Sequence, residues 1–167
     1  MASHDTSPTP PAVGRASLPA FRRAAAADAP EVATVYIASR RGAAEWLPTV
    51  GTDAEIRAFV ICEMVPAQET WVAVANGRIV AVLVLGIDMV DQFYVAPDNQ
   101  RHGVGDAMLA HAKHLRPAGL GLWTFQRNAP ARRFYEARGF VAKQFTDGAT
   151  CMEREADVLY EWHRSTE

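Results

Sequence analysis

The sequence predicts a single α/β domain with a mixed central β-sheet flanked by helices, and three observations predict it. Two β-branched runs, Thr70 to Ala75 and Arg78 to Leu85, are joined by Asn76-Gly77. Both central residues of a type I′ turn need positive φ, which this dipeptide supplies, so the runs form an antiparallel hairpin. Next, Asp91 to Gly105 (DQFYVAPDNQRHGVG) reads as a strand, a turn at Pro97 and a glycine loop. It enters a helix whose apolar positions Val104, Ala107, Met108 and Leu115 share one face. Finally, the strand Leu120 to Phe125 leads to Asn128, a good N-cap, and to a helix with Ala131, Phe134, Tyr135 and Arg138 on one side, stopped by Gly139. A helix separates these last two strands, so they lie parallel, whereas the hairpin is antiparallel.

The remaining elements follow in order. A chain of 167 residues fits one domain with a core that needs neither disulfide nor metal. Residues 1–17 are rich in Pro, Ser, Thr and Ala without apolar period and are expected to form a flexible tail, leaving 18–167 as the domain. A short strand, Ala20 to Arg23, precedes Asp28-x-x-Glu31, which reads as a capping box with Pro30 in the first turn of a helix ending near Arg41-Gly42. Thr52-x-x-Glu55 repeats the capping logic ahead of Ile56, Phe59 and Val60. Between these helices, Gly42 to Gly51 carries Glu45-Trp46-Leu47-Pro48 and reads either as a lid or as a loop whose Trp packs on the core. Asp88 to Val95 follows the hairpin as an antiparallel strand. Phe140 to Phe145 and Asp157 to Trp162 close the chain around a polar loop.

Composition narrows the class. At 49% hydrophobic, 22% charged and net charge -2, the chain reads as a soluble globular protein with nothing that suggests nucleic acid. Cys62 and Cys151 are expected to be reduced thiols, and no secretory or membrane-spanning stretch is evident, which points to a cytoplasmic protein without membrane contact. His111 and His114 lie three apart, but no third ligand is placed to join them, so no metal is expected and both are read as helix-surface residues. Arg132 and Arg133 read as a solvated basic patch.

The glycine loop carries the chemistry. Glycines at 103 and 105 let the backbone approach a bulky group, and the first N–H groups of the following helix point at it with the positive end of the helix dipole. A phosphate or pyrophosphate fits there. A dinucleotide fold would place a glycine where Met108 stands, and a P-loop would need Gly-Lys-Ser/Thr. What remains is Gln100-Arg101-x-Gly103-x-Gly105 after Tyr94-Val95-x-Pro97, together with Asn128-Ala129-Pro130-Ala131-Arg132-Arg133-Phe134-Tyr135 and its continuation to Gly139-Phe140.

These two blocks, in this order and spacing, resemble the GNAT family of N-acetyltransferases, with the likeness running from about Thr70 to Phe140. The resemblance implies acetyl-CoA as co-substrate, bound where two parallel strands splay apart. Backbone groups of Phe93, Tyr94 and Val95 would meet the pantetheine arm, Gln100, Arg101, His102, Gly103, Val104 and Gly105 would cradle the pyrophosphate, and Asn128 would touch the cofactor. Tyr135 stands where the family often places its general acid. Many relatives carry a Glu where this chain has Met89, so the base is open, with Asp91, two residues on along the strand, and Glu45, on the loop, as candidates. The acceptor implied is a small-molecule amine, and a homodimer is an option. A catalytically silent acyl-CoA-binding module, or an enzyme acting on a protein N-terminus or lysine, is the rival.

Overall fold

The computed structural model describes residues 19–42, 47, 48 and 50–164. The expected tail, Glu45 and Trp46 lie outside them. Strands β1 (Ala20–Arg23), β2 (Glu69–Ala75), β3 (Arg78–Leu85) and β4 (Met89–Val95) pair antiparallel in sequence order. The β2–β3 turn has φ 52° at Asn76 and 74° at Gly77, as a type I′ turn demands. β5 (Gly119–Phe125) lies parallel to β4, and β7 (Asp157–His163) and β6 (Val141–Phe145) complete one mixed sheet of seven strands in the order β1-β2-β3-β4-β5-β7-β6.

Each face of the sheet buries its own core. Helix α1 (Ala29–Arg41) sets Val32, Val35 and Tyr36 against Val72, Val82 and Val84. On the opposite face, α4 (Val104–Leu115) places Met108, Leu109 and Ala112 against Leu83, Leu120 and Leu122, and α5 (Ala129–Glu136) adds Tyr135. Between them in sequence, α2 (Asp53–Phe59) runs through a π-helical turn (Val60–Met64) into the short α3 (Val65–Ala67). The π turn was not expected. It lies just before Pro66, which has no N–H to donate to the preceding turn.

The two capping boxes fared differently. At α2, the Thr52 hydroxyl accepts from Glu55 N–H at 3.2 Å and the Glu55 carboxylate accepts from Thr52 N–H at 2.6 Å. Thr52→Ala is expected to cost about 1 kcal/mol, read as a lower denaturation midpoint with an unchanged slope. At α1 the expected box does not form. Asp28 instead accepts from Ala25 N–H at 2.7 Å and from the Arg22 guanidinium at 2.6 and 2.9 Å, while Glu31 accepts from Ile79 N–H on β3 at 3.1 Å.

His111 departs from its expected surface position. Its ring stacks on Phe21 at 5.0 Å and meets Trp71 edge-on at 4.7 Å, and its buried Nε2 has no hydrogen-bond partner. Burial therefore pushes its pKa down. His114 is exposed, as expected, and both cysteines are free. Arg133 is exposed, as expected, whereas Arg132 is half-buried and also engaged, donating to the Tyr160 hydroxyl at 3.1 Å and to the Gln126 carbonyl at 3.3 Å. Among the described residues, no helix is long and apolar enough to cross a membrane, and no group of three or more His, Cys, Asp or Glu is placed to hold a metal.

Two irregularities position the site. β4 and β5 pair only at Met89 with Gly121 and Val90 with Leu122, and then diverge. Directly after Val90 the β3–β4 register shifts, with Leu85 opposite Val90 and Val84 opposite Gln92, so Asp91 is the extra residue of a β-bulge. Bulges bend a strand and sharpen its twist. This one begins where β4 leaves β5.

Candidate active site

The cleft between the diverging strands is walled by the loop after β4 and by α5. A 3-10 turn (Pro97–Asn99) and positive φ at Arg101 (61°) and Gly103 (81°) fold the chain back into α4. The Ala107 N–H closes the first helical turn on the Gly103 carbonyl at 3.0 Å. The N–H groups of Val104, Gly105 and Asp106 therefore have no intrahelical partner, and the dipole adds positive potential there. Gly103, Gly105 and Asp106 line a groove of about 440 Å³, with Phe93 and Val95 on one side and Phe134 and Tyr135 on the other.

The residues suit a phosphate-bearing cofactor on steric grounds. A Cβ on Gly103 would meet nothing within 4 Å, so a side chain there would project into open space. On Gly105 a Cβ would touch the Phe134 ring at 3.4 Å, which makes this glycine the narrow point between α4 and α5. The Ala96 N–H bonds the Val80 carbonyl on β3 at 2.9 Å, so by strand alternation the peptide groups of Phe93 and Val95 face away from β3, toward the space that β5 vacates. The Val95 carbonyl accepts from the Gln100 amide at 3.1 Å.

The other predicted positions divide by side. Arg101 and His102 are exposed at the loop, whereas the Val104 side chain is buried in the core. Tyr94 points to the α1 face, its ring 4.3 Å from that of Tyr36 and its hydroxyl donating to Gln92 at 2.5 Å. Burial raises the Tyr94 phenol well above its ordinary pKa. Asn128 caps α5, its side-chain oxygen accepting from Ala131 N–H at 3.1 Å.

Tyr135 sits at a junction. A second cavity of about 330 Å³, lined by Asp91, Gln92, Thr124, Arg40 and Glu153 among others, shares Ser39, Phe93, Asn128, Ala131 and Tyr135 with the groove. The Tyr135 ring is fixed by aromatic contacts to Phe134, Phe140 and Tyr160 at 5.3, 5.7 and 6.4 Å. Burial pushes its phenol far above the usual range, so at neutral pH it carries its proton. Asp91 borders the second cavity from the bulge. Partial burial, then the charge of Asp88, raises its pKa.

Sequence reasoning missed Arg40 and Glu153, paired at 2.8 Å with little solvent exposure. They stand 113 residues apart, and no local pattern links them. It also left out Arg138 and Asp106, which line the groove. A signal existed for Arg138, since the sequence pattern sets it on one side with Tyr135; the helix itself stops at Glu136, and Arg138 sits in the turn that follows.

Comparison with known proteins agrees with this geometry. Residues 66–142 match the family model described as an acetyltransferase (GNAT) domain. Over that segment, a little under half of its length, the chain is similar to GNAT acetyltransferases. It is similar to a probable N-acetyltransferase of Mycobacterium tuberculosis, 36% identical over 78 residues that cover 42% of this chain and 45% of that protein. It is also similar to a peptidyl-lysine N-acetyltransferase of Escherichia coli, 32% identical over 73 residues covering 43% and 49%. The match thus spans about half the length of these relatives. Among solved structures, the apo form of Escherichia coli YjaB superposes with a TM-score of 0.73 at 20% identity over 87% of this chain and 98% of that one, a likeness of fold.

Proposed function

We propose that the chain transfers an acetyl group from acetyl-CoA to the primary amine of a small molecule. The observation that carries this reading is the meeting of two cavities at Tyr135, one walled by a phosphate-suited loop and one by polar side chains. Acetyl-CoA supplies an activated acyl group. The protein's part is to bind, orient and move protons.

In this reading the free N–H groups of α4 and the loop from Gln100 hold the pyrophosphate, and the peptide groups of Phe93 and Val95 align the pantetheine arm. Tyr135 is the proton donor at the sulfur end of the groove. A phenol kept protonated by burial suits donation to a departing thiolate. Asp91 is the acid that receives or orients the amine proton, directly or through water; Glu45 remains the second candidate. The name of the Escherichia coli relative favours a peptidyl lysine as the alternative acceptor.

Two measurements test the proposal. CoA at 100-fold over its Kd is expected to raise Tm by about 5 to 10 °C, because a ligand bound only by the folded state adds about 2.7 kcal/mol at that excess. A panel of small amines and lysine peptides, followed by thiol release from acetyl-CoA, is expected to show turnover with a small amine. Binding without turnover on any acceptor would leave the silent binding module in its place.

A further inference from the structure

The second cavity is lined by three charged groups among the described residues: Arg40 from α1, Asp91 from the β4 bulge and Glu153 from the loop between β6 and β7. They are not equivalent. Arg40 Nη2 donates to the Glu153 carboxylate at 2.8 Å, and the two side chains are only 19% and 15% exposed, so the guanidinium is neutralised before any guest arrives. The loop that carries Glu153 is anchored without this pair. At its base the Gln126 amide donates to the Thr146 and Asp157 carbonyls at 2.8 and 2.9 Å, and Arg127 pairs with Glu155 at 3.7 Å. Asp91 has no hydrogen bond or ion pair among the described residues; partial burial and the charge of Asp88 raise its pKa, as expected of a carboxylate that lacks a cation. Part of the apolar wall is also uncovered. Leu122 faces the core under α4, so by strand alternation Trp123 and Phe125 lie on the α1 face with Tyr94, and Trp123 is 43% exposed there.

We propose that Glu153 sets the class of acceptor by occupying Arg40, so that the cavity admits a small amine with an aromatic body and excludes one that carries a carboxylate; this rests on the reading of this cavity as the place where the amine meets acetyl-CoA. Arg40 and Glu153 cancel, which leaves the lining with the single negative charge of Asp91. An ammonium neutralises that charge and a carboxylate is repelled by it. To receive a carboxylate, Arg40 would have to release Glu153, which would then stand unpaired beside a second anion with little solvent to screen it. Specificity of this kind comes from an element that works against the wrong guest. Trp123 and Phe125 supply ring surface for an aromatic body to cover. The cavity, about 330 Å³, lies at the small end of ligand sites, which run from roughly 300 to 1,000 Å³.

Turnover of phenethylamine, phenylalaninamide and phenylalanine, followed as thiol release from acetyl-CoA, tests this in wild type, Glu153→Gln and the double variant Arg40→Gln/Glu153→Gln. Phenylalaninamide has the shape of phenylalanine without the charge of its carboxylate. In wild type, kcat/KM for phenylalanine is expected to lie on the order of 100-fold below that for phenylalaninamide, with phenethylamine turned over as well. Glu153→Gln frees the guanidinium and is expected to narrow that gap about tenfold, chiefly through KM for phenylalanine. The double variant, with no cation left to receive the carboxylate, is expected to widen it again. The gap is internal to each protein, so a partly unfolded fraction scales both rates alike. A wild type that uses phenylalanine as readily as its amide, a Glu153→Gln protein that keeps the full gap, or a double variant that keeps the narrowed one overturns the assignment. Turnover of other amines but none of these three also overturns it and leaves the transferase standing, whereas no turnover of any amine sinks both.

Discussion

Gly105→Val is expected to abolish the CoA-dependent rise in Tm while leaving the protein folded. Gly105 lies inside α4, where a glycine costs roughly 0.5 to 1 kcal/mol relative to alanine, so a side chain there suits the helix. Its methyl groups, however, would enter a space already in contact with the Phe134 ring at 3.4 Å and with Val95 at 3.8 Å. Either Phe134 is driven into the groove or the valine fills it. Both outcomes remove the approach of backbone to phosphate, and Kd for CoA is expected to rise by roughly 100-fold or more, about 2.7 kcal/mol. Gly103→Val should also block binding, but φ of 81° adds strain of roughly 1 to 2 kcal/mol for a β-branched residue. Gly105 is therefore the cleaner site. A Gly105→Val protein with native circular dichroism that still shows the full Tm shift would refute the phosphate role of this loop.

The second large effect is expected from Tyr135→Phe, which should lower kcat by on the order of 100-fold and leave KM for acetyl-CoA nearly unchanged. Phe keeps the ring contacts with Phe134, Phe140 and Tyr160. The hydroxyl makes no hydrogen bond among the described residues, so its loss orphans no partner and Tm should stay within a degree or two. An unchanged Tm with a large fall in kcat separates proton donation from packing. The acceptor must be one whose chemistry limits turnover, since slow product release would mask the change. A kcat within about twofold of wild type would return Tyr135 to a purely structural role.

What the sequence disclosed, and what it hid, follows the range of the interactions. The hairpin at Asn76-Gly77 was legible because positive φ is a local demand met by two adjacent residues. The Thr52 box formed as read because nothing competes for Glu55, whereas at Asp28 the same pattern lost to Arg22, to a preceding turn and to an unpaired β3 amide. Local signals fail where tertiary partners are better placed. His111 was misplaced because its helix face meets Phe21 and Trp71 of β1 and β2, a contact set by strand order rather than helical period. For the site, the loop and the N-cap of α5 could be read from glycine spacing and a capping residue. The second cavity could not, because Arg40 and Glu153 meet only through the path of the loop between β6 and β7. The bulge at Asp91 was equally silent, since one extra residue in a strand leaves no mark on composition.

The sheet is seven strands wide, yet it is stitched across its middle by two residue pairs alone. Mechanically it is two panels, residues 20–95 and 119–163, which meet along a short seam. Their cohesion rests on the shared core under α4, where Leu83 and Val90 of one panel and Leu120, Leu122 and Tyr160 of the other enclose Met108 and Leu109. Side-chain packing of that kind resists separation while permitting small rotations that a continuous ladder of backbone bonds would forbid. Val90 and Leu122 of the seam border the second cavity, so a pivot there changes its width. An extended guest with amide groups, laid along the open edge of β4, would supply the rungs that β5 withholds and lock the pivot.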